Sequence, residues 1–162
     1  RGGHVTFAPT DSTEQALLDV FLQRHKRVSV ERILCGQGLL ELYQAYCTLE
    51  GIEPHLTSPA EVTTAANEGD SLATTALLRF LKILGDVCGD ATLTMGARGG
   101  VYLCGGILPR LLEWLPKSEL RAAFVNKGRM GAYNADIPVW VVTAPWTGLL
   151  GAAEALHNEE VF

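Results

Sequence analysis

The sequence predicts an α/β lobe in which helices alternate with a few short strands and outnumber them. Three observations carry this. Apolar residues recur at helical spacing in several segments, two short runs rich in β-branched and aromatic residues read as strands, and the first run ends in the pair Gly105-Gly106. With 162 residues and 48% hydrophobic content the chain has enough apolar surface for one cored domain, or one lobe of something larger.

Residues 1–9 open on a glycine pair with no methionine or polar lead-in, and then alternate as a strand does. The abrupt opening reads as a cut inside a larger protein. From Thr10 the pattern turns helical: Ser12 and Gln15 can form a capping box, and Ala16, Leu17, Val20, Phe21 and Arg24 share a face expected to cover a sheet. The basic run Arg24-His25-Lys26-Arg27 follows this helix, where cations complement its C-terminal dipole. Ser29 can cap a short helix with Glu31 in its middle, and Gly36 and Gly38 are expected to bend the chain before the next helix.

That helix carries Leu39, Leu42, Tyr43, Tyr46 and Cys47 and ends near Gly51; Ser58-Pro59-Ala60-Glu61 starts another after a loop. Asp70 to about Leu93 is the longest helical pattern, with Ala73, Ala76, Leu77, Phe80, Leu84, Val87, Cys88 and Ala91 on one stripe. Gly85 and Gly89 weaken it unless another element packs closely there. Val101-Tyr102-Leu103 is the first strand, and Leu108, Leu111, Leu112 and Leu115 then predict a helix with Pro109 in its first turn. Lys117 to Lys127 is a short helix closed by Gly128, residues 137–142 are a second buried strand, and residues 147–156 form a final helix rich in small residues.

The diglycine leaves backbone bare at the carboxyl end of a strand, where open sheets bind ligands, and a nucleotide suits it. The same pair also serves merely to leave a strand and pack a helix. Neither a Gly-x-x-x-x-Gly-Lys-Ser/Thr loop nor a Gly-x-Gly-x-x-Gly helix opening is present. A net charge of −5 speaks against nucleic acid or an anionic membrane as the main partner. The lack of a long apolar run or leader-like pattern predicts a soluble, cytoplasmic molecule. Cys35, Cys47, Cys88 and Cys104 lack metal-ligand spacing, so reduced thiols are expected and no zinc.

Four landmarks stand in order: Gly2-Gly3-His4-Val5-x-Phe7-Ala8-Pro9, Ser29-x-Glu31-Arg32-x-Leu34-x-Gly36-x-Gly38-Leu39, Gly99-Gly100-Val101-x-x-x-Gly105-Gly106-Ile107-x-Pro109-Arg110, and Gly148-Leu149-Leu150-Gly151. With Phe124-x-x-Lys127-Gly128-Arg129 and Asp136-Ile137-Pro138-Val139, this set resembles the C-terminal part of the bacterial glucokinases. The resemblance implies an actin-like ATPase lobe (ribonuclease H-like). Residues 1–162 would be the C-terminal part of the large domain, without the N-terminal small lobe. It further implies that His4 and Glu31 hydrogen-bond glucose hydroxyls, that Gly105 and Gly106 seat the adenosine of ATP, and that Mg²⁺ arrives with the nucleotide. Taken alone, His4 also reads as a core histidine and Glu31 as a helix-surface charge.

Three departures accompany the resemblance. Arg1 stands where the family has a glutamate ligand, and a cation cannot accept from a hydroxyl. The family's Asp-x-Gly-Gly-Thr hairpin and its Asn-Asp pair, which carries the general base, are not in this sequence, so the chain alone is expected to be inactive. The cysteine-rich zinc motif of the related repressors is missing as well. A sugar-binding regulator of the same superfamily without catalysis, and a self-associating homodimer lobe, are the rival expectations.

Overall fold

The computed structural model describes residues 2–158, so the Arg1 departure lies outside the described residues. Gly2–His4 form one 3-10 turn. The strand expected over residues 1–9 is reduced to a single antiparallel bridge between Thr6 and Ser29. Phe7 N–H donates to Val28 O at 3.1 Å and Val30 N–H to Val5 O at 3.0 Å. Pairing stops there because the partner segment turns away into a helix at Val30.

Helix α1 (Ser12–Arg24) is capped by Asp11, whose side chain accepts from Glu14 N–H at 2.8 Å, so the expected box at Ser12 and Gln15 is displaced by one residue. Glu14 in turn accepts from the N–H of Thr10, the residue before the cap, at 2.8 Å. α1 packs on α3 (Gly36–Glu50) rather than on the sheet. Helix α2 (Val30–Ile33) is capped by Ser29 as its sequence predicts. α3 takes Cys35 as its cap, so the two glycines read as a bend lie inside its first turn, and it ends at Gly51. α4 (Pro59–Asn67) starts at the Ser58 cap with Pro59 in its first turn.

The spine is α5 (Ser71–Met95), which touches α3, α4, α6 (Leu120–Val125) and α7 (Gly131–Ala135). Its first half buries Ala73, Ala76, Leu77 and Phe80 as its apolar stripe predicts. Its second half instead buries Gly85, Asp86, Gly89 and Thr92, leaving Leu84, Val87 and Cys88 half-buried and Ala91 exposed. The reason is close approach. A Cβ built on Gly85 would stand 2.1 Å from Leu120 O, and one on Gly89 2.6 Å from Phe124 O, so α6 lies directly on the α5 backbone.

Strands β1 (Val101–Leu103) and β2 (Val139–Val141) pair in parallel, with Tyr102 opposite Trp140. Only Leu103 is buried; Tyr102 and Trp140 are more than half exposed, which corrects the expectation of two buried strands. The helix expected after the diglycine is two short 3-10 segments, Leu108–Arg110 and Leu112–Lys117, interrupted by Pro109 and Pro116, neither of which can donate a helical hydrogen bond. Leu108 and Leu111 still enter the core. Helix α8 (Thr147–Ala155) follows Trp146, which has a φ of +62°, and buries none of its residues.

Candidate functional site

The fold brings His4 and Glu31 together from two elements. His4 ends the opening 3-10 turn, Glu31 lies in the first turn of α2, and His4 Nε2 stands 3.4 Å from Glu31 Oε2. Both side chains are 58% exposed, so His4 is no core histidine and the pair faces solvent rather than filling a void. The backbone of each is held from behind. Ser29 caps α2, Val5 O receives Val30 N–H, and a Cβ on Gly3 would sit 3.2 Å from Glu31 Oε2, so the glycine lets the turn lie against the carboxylate.

The basic run does more than end a helix. Arg24 donates to Gln44 at 3.0 Å and His25 Nε2 lies 2.6 Å from Glu41 Oε2. Arg27 reaches across to His4, donating to its carbonyl at 2.5 Å and to Thr6 Oγ1 at 3.1 Å. The sequence showed the cations but not this reach, which depends on the Thr6–Ser29 bridge.

Gly105 and Gly106 sit at the carboxyl end of β1, exposed, with no atom within 4 Å of a Cβ built on either. Gly105 has a φ of +134°, a conformation that favours glycine. Bare backbone thus stands open there and no helix plugs it, which fits the approach of a flat, polar ring such as a purine. Among the described residues no group of three His, Cys, Asp or Glu side chains could hold a metal ion.

Behind the His4 turn lies a cavity of about 530 Å³ between residues 2–8 and the second half of α5. Val5, Phe7, Val87 and Met95 give it apolar walls, and Glu14, Asp86 and Asp90 also line it; Gly105 and Gly106 do not. Its carboxylates belong to an ion network that sequence reasoning missed. Glu14, 1% exposed, pairs with Lys82 at 2.7 Å and Arg79 at 3.1 Å. Asp86 pairs with Lys82 at 3.0 Å and Lys127 at 3.5 Å, and Lys127 with Asp90 at 2.9 Å. Burial alone would push the Glu14 carboxyl up, yet hydrogen bonds from Lys82, Thr10 and Arg79 outweigh it and hold it below its ordinary value. The network ties the end of the opening segment at Thr10 to α5 and to Lys127. One signal in the sequence hinted at it: Lys82 and Asp86 are opposite charges at i,i+4 spacing beside the apolar stripe of α5. Cys88, half-buried against the core, has its thiol pushed up to about 11 by burial, so little thiolate forms at neutral pH.

The helix-rich lobe, with its small parallel sheet and an open strand end beside it, is an α/β lobe of the actin-like ATPase class. A crystal structure of glucokinase from an Antarctic psychrotroph superposes with a TM-score of 0.92 at 36% identity, over 98% of this chain and 50% of that one. Glucokinase of Balamuthia mandrillaris in complex with glucose superposes at 0.76 over 90% of this chain and 43% of that one; at 18% identity it supports the fold alone. The glucokinase family pattern matches residues 1–159. The glucokinases of Chromohalobacter salexigens and Hahella chejuensis are 69% and 55% identical, each over 99% of this chain and 50% of theirs. The chain belongs to the glucokinase family. It spans about half the length of the curated relatives it matches.

Proposed function

We propose that residues 1–162 are the C-terminal part of the large domain of a cytoplasmic, ATP-dependent glucokinase, which phosphorylates the 6-hydroxyl of glucose. The observation that carries this reading is the His4–Glu31 pair, two open polar side chains brought to 3.4 Å from separate elements of a glucokinase-family lobe. Glu31, as a carboxylate, accepts from one or two sugar hydroxyls, and a neutral His4 gives one donor and one acceptor. Pairing of that kind selects a sugar by leaving buried groups unmatched when a hydroxyl is absent. Gly105 and Gly106 seat the adenosine on bare backbone. ATP, when bound with Mg²⁺, supplies the γ-phosphoryl group, and such transfer depends on positioning and charge stabilisation more than on covalent help from the protein. This chain contributes half of the sugar site and the nucleotide shelf. The catalytic base belongs to the remainder of the polypeptide, so the 162 residues alone do not turn over.

The test is a coupled glucose 6-phosphate assay on the full-length protein and its Glu31→Gln variant. Losing a charge-assisted hydrogen bond of about 1.5–3 kcal/mol lowers kcat/KM for glucose by about 10- to 150-fold, with the KM for ATP unchanged. A wild-type protein that binds glucose without ATP-dependent turnover would instead identify a sugar-binding regulator. Equal kcat/KM in the two proteins would remove Glu31 from the site.

A further inference from the structure

The sugar pair is poorly held by its own contact. At 3.4 Å, with each side chain more than half exposed, the His4–Glu31 interaction is too long and too wet to fix either group. Their spacing must therefore be set by the main chain beneath them. Glu31 is secured by the Ser29 cap and by the hydrogen bond from Val30 N–H to Val5 O. The antiparallel pairing that secures Val5 to Phe7 does not extend to His4, which sits beyond its end on a three-residue turn. At the point where the backbone ladder gives out, a side chain takes over: Arg27 donates to the carbonyl of His4 at 2.5 Å and to Thr6 Oγ1 at 3.1 Å.

We infer that Arg27 is a positioning residue for sugar recognition, a guanidinium bracket that holds the His4 turn at a fixed distance from Glu31. The inference rests on the functional reading above. Two features of the geometry support it. Both bonds leave one nitrogen, Nη2, whose two hydrogens reach a main-chain and a side-chain acceptor two residues apart, so the planar guanidinium orients the turn as well as anchoring it. Arg27 also stands just before Val28 and Ser29, on the same segment that leads into α2 and Glu31. The bracket therefore links the two sugar-binding elements directly, and a shift of α2 carries the His4 turn with it. Arg27 itself is exposed, and its Nη2 is engaged by His4 O and Thr6 Oγ1, so it is not assigned a contact with the sugar.

The test uses the full-length protein with Arg27→Ala and Arg27→Lys, reading glucose binding by calorimetry and steady-state kinetics together. Arg27→Ala is expected to weaken glucose binding and raise the KM for glucose by about three- to tenfold, the range of one or two net hydrogen bonds. kcat and the KM for ATP should stay within about twofold, and Arg27→Lys, which can restore one of the two bonds, should recover part of the loss. A merely structural role predicts something different: lower thermal stability and kcat, both KM values moved together or neither, and no graded recovery by lysine. That pattern overturns the inference, as does unchanged glucose affinity in Arg27→Ala while the wild type binds glucose. If the wild type binds no glucose, the sugar-site reading falls and takes the bracket with it; calorimetry on the wild type alone separates that failure from the other.

Discussion

Replacing Gly85 by alanine tests the packing on which the lobe depends. In an open helix the change stabilises by about 1 kcal/mol, because glycine is the poorer helix former. Here the new methyl would stand 2.1 Å from Leu120 O and 2.8 Å from Leu120 C, and both atoms are backbone. No rotamer change relieves that contact, so α6 must back away from α5 by about 1 Å, a gap that forfeits up to half of the local dispersion attraction. Overpacking of this kind costs about 1–3 kcal/mol, occasionally more, and collision with backbone puts Gly85 at the upper end. After the helix-propensity gain, a net loss of about 2–3 kcal/mol remains, seen as a fall in Tm of about 4–10 °C in thermal unfolding of the full-length protein. Gly148→Ala is the control: Gly148 lies in α8 with nothing within 4 Å of its would-be Cβ, and the same substitution there should be neutral or stabilise by up to about 1 kcal/mol. A Gly85→Ala protein as stable as the wild type would refute the close α5–α6 approach.

Two other perturbations address the network and the proposed role of the diglycine. Glu14→Gln removes the buried anion between Lys82 and Arg79; both cations keep a carboxylate, Asp86 and Asp11 respectively, so the loss should be about 2–4 kcal/mol by urea unfolding at neutral pH. Since folding holds the Glu14 carboxyl below its ordinary value of 4.5, its contribution is complete above that pH and drains away as the pH falls below it. The wild type should therefore lose stability more steeply than Glu14→Gln on acidification below about pH 4.5, and parallel curves would contradict the assignment. Gly106→Val, at an open position without a positive φ, should leave the fold intact and raise the KM for ATP about tenfold or more while the KM for glucose holds. Unchanged ATP kinetics would remove the diglycine from the nucleotide site.

Local chemistry was legible along the chain where it acts within a turn or two. The Ser29 and Ser58 caps, Pro59 in the first turn of α4 and the glycine end of α3 all fall where their residue types predict. The pressure for close packing at Gly85 and Gly89 was also readable, since two glycines in a long helix need a neighbour to justify them. Misreadings came where a correct period met a competing constraint. Leu108, Leu111, Leu112 and Leu115 have helical spacing, but Pro109 and Pro116 break the hydrogen-bond run into 3-10 turns. The stripe of α5 was extrapolated through Leu84, Val87, Cys88 and Ala91, whereas α6 lies on the glycine side. At the site, nothing in the spacing of His4 and Glu31 says that they meet. Only the ordered motifs suggested it, and the Thr6–Ser29 bridge is what brings it about. Beyond the Lys82–Asp86 spacing, the Glu14 network and the Arg27 bracket were not legible, because each joins segments distant along the chain through side chains that look like ordinary surface charge.

The two-stranded sheet sets an order of events as well as a shape. Helices α2 to α5 each touch a neighbour close in sequence, so they can assemble through short loop closures while the chain is still largely open. β1 must instead wait for β2, which arrives only after the prolyl turns, α6 and α7 have been threaded between them. A nascent polypeptide would therefore acquire its helical spine early and zip its strands late. During that interval Leu103, covered in the finished lobe, would stand open to a chaperone.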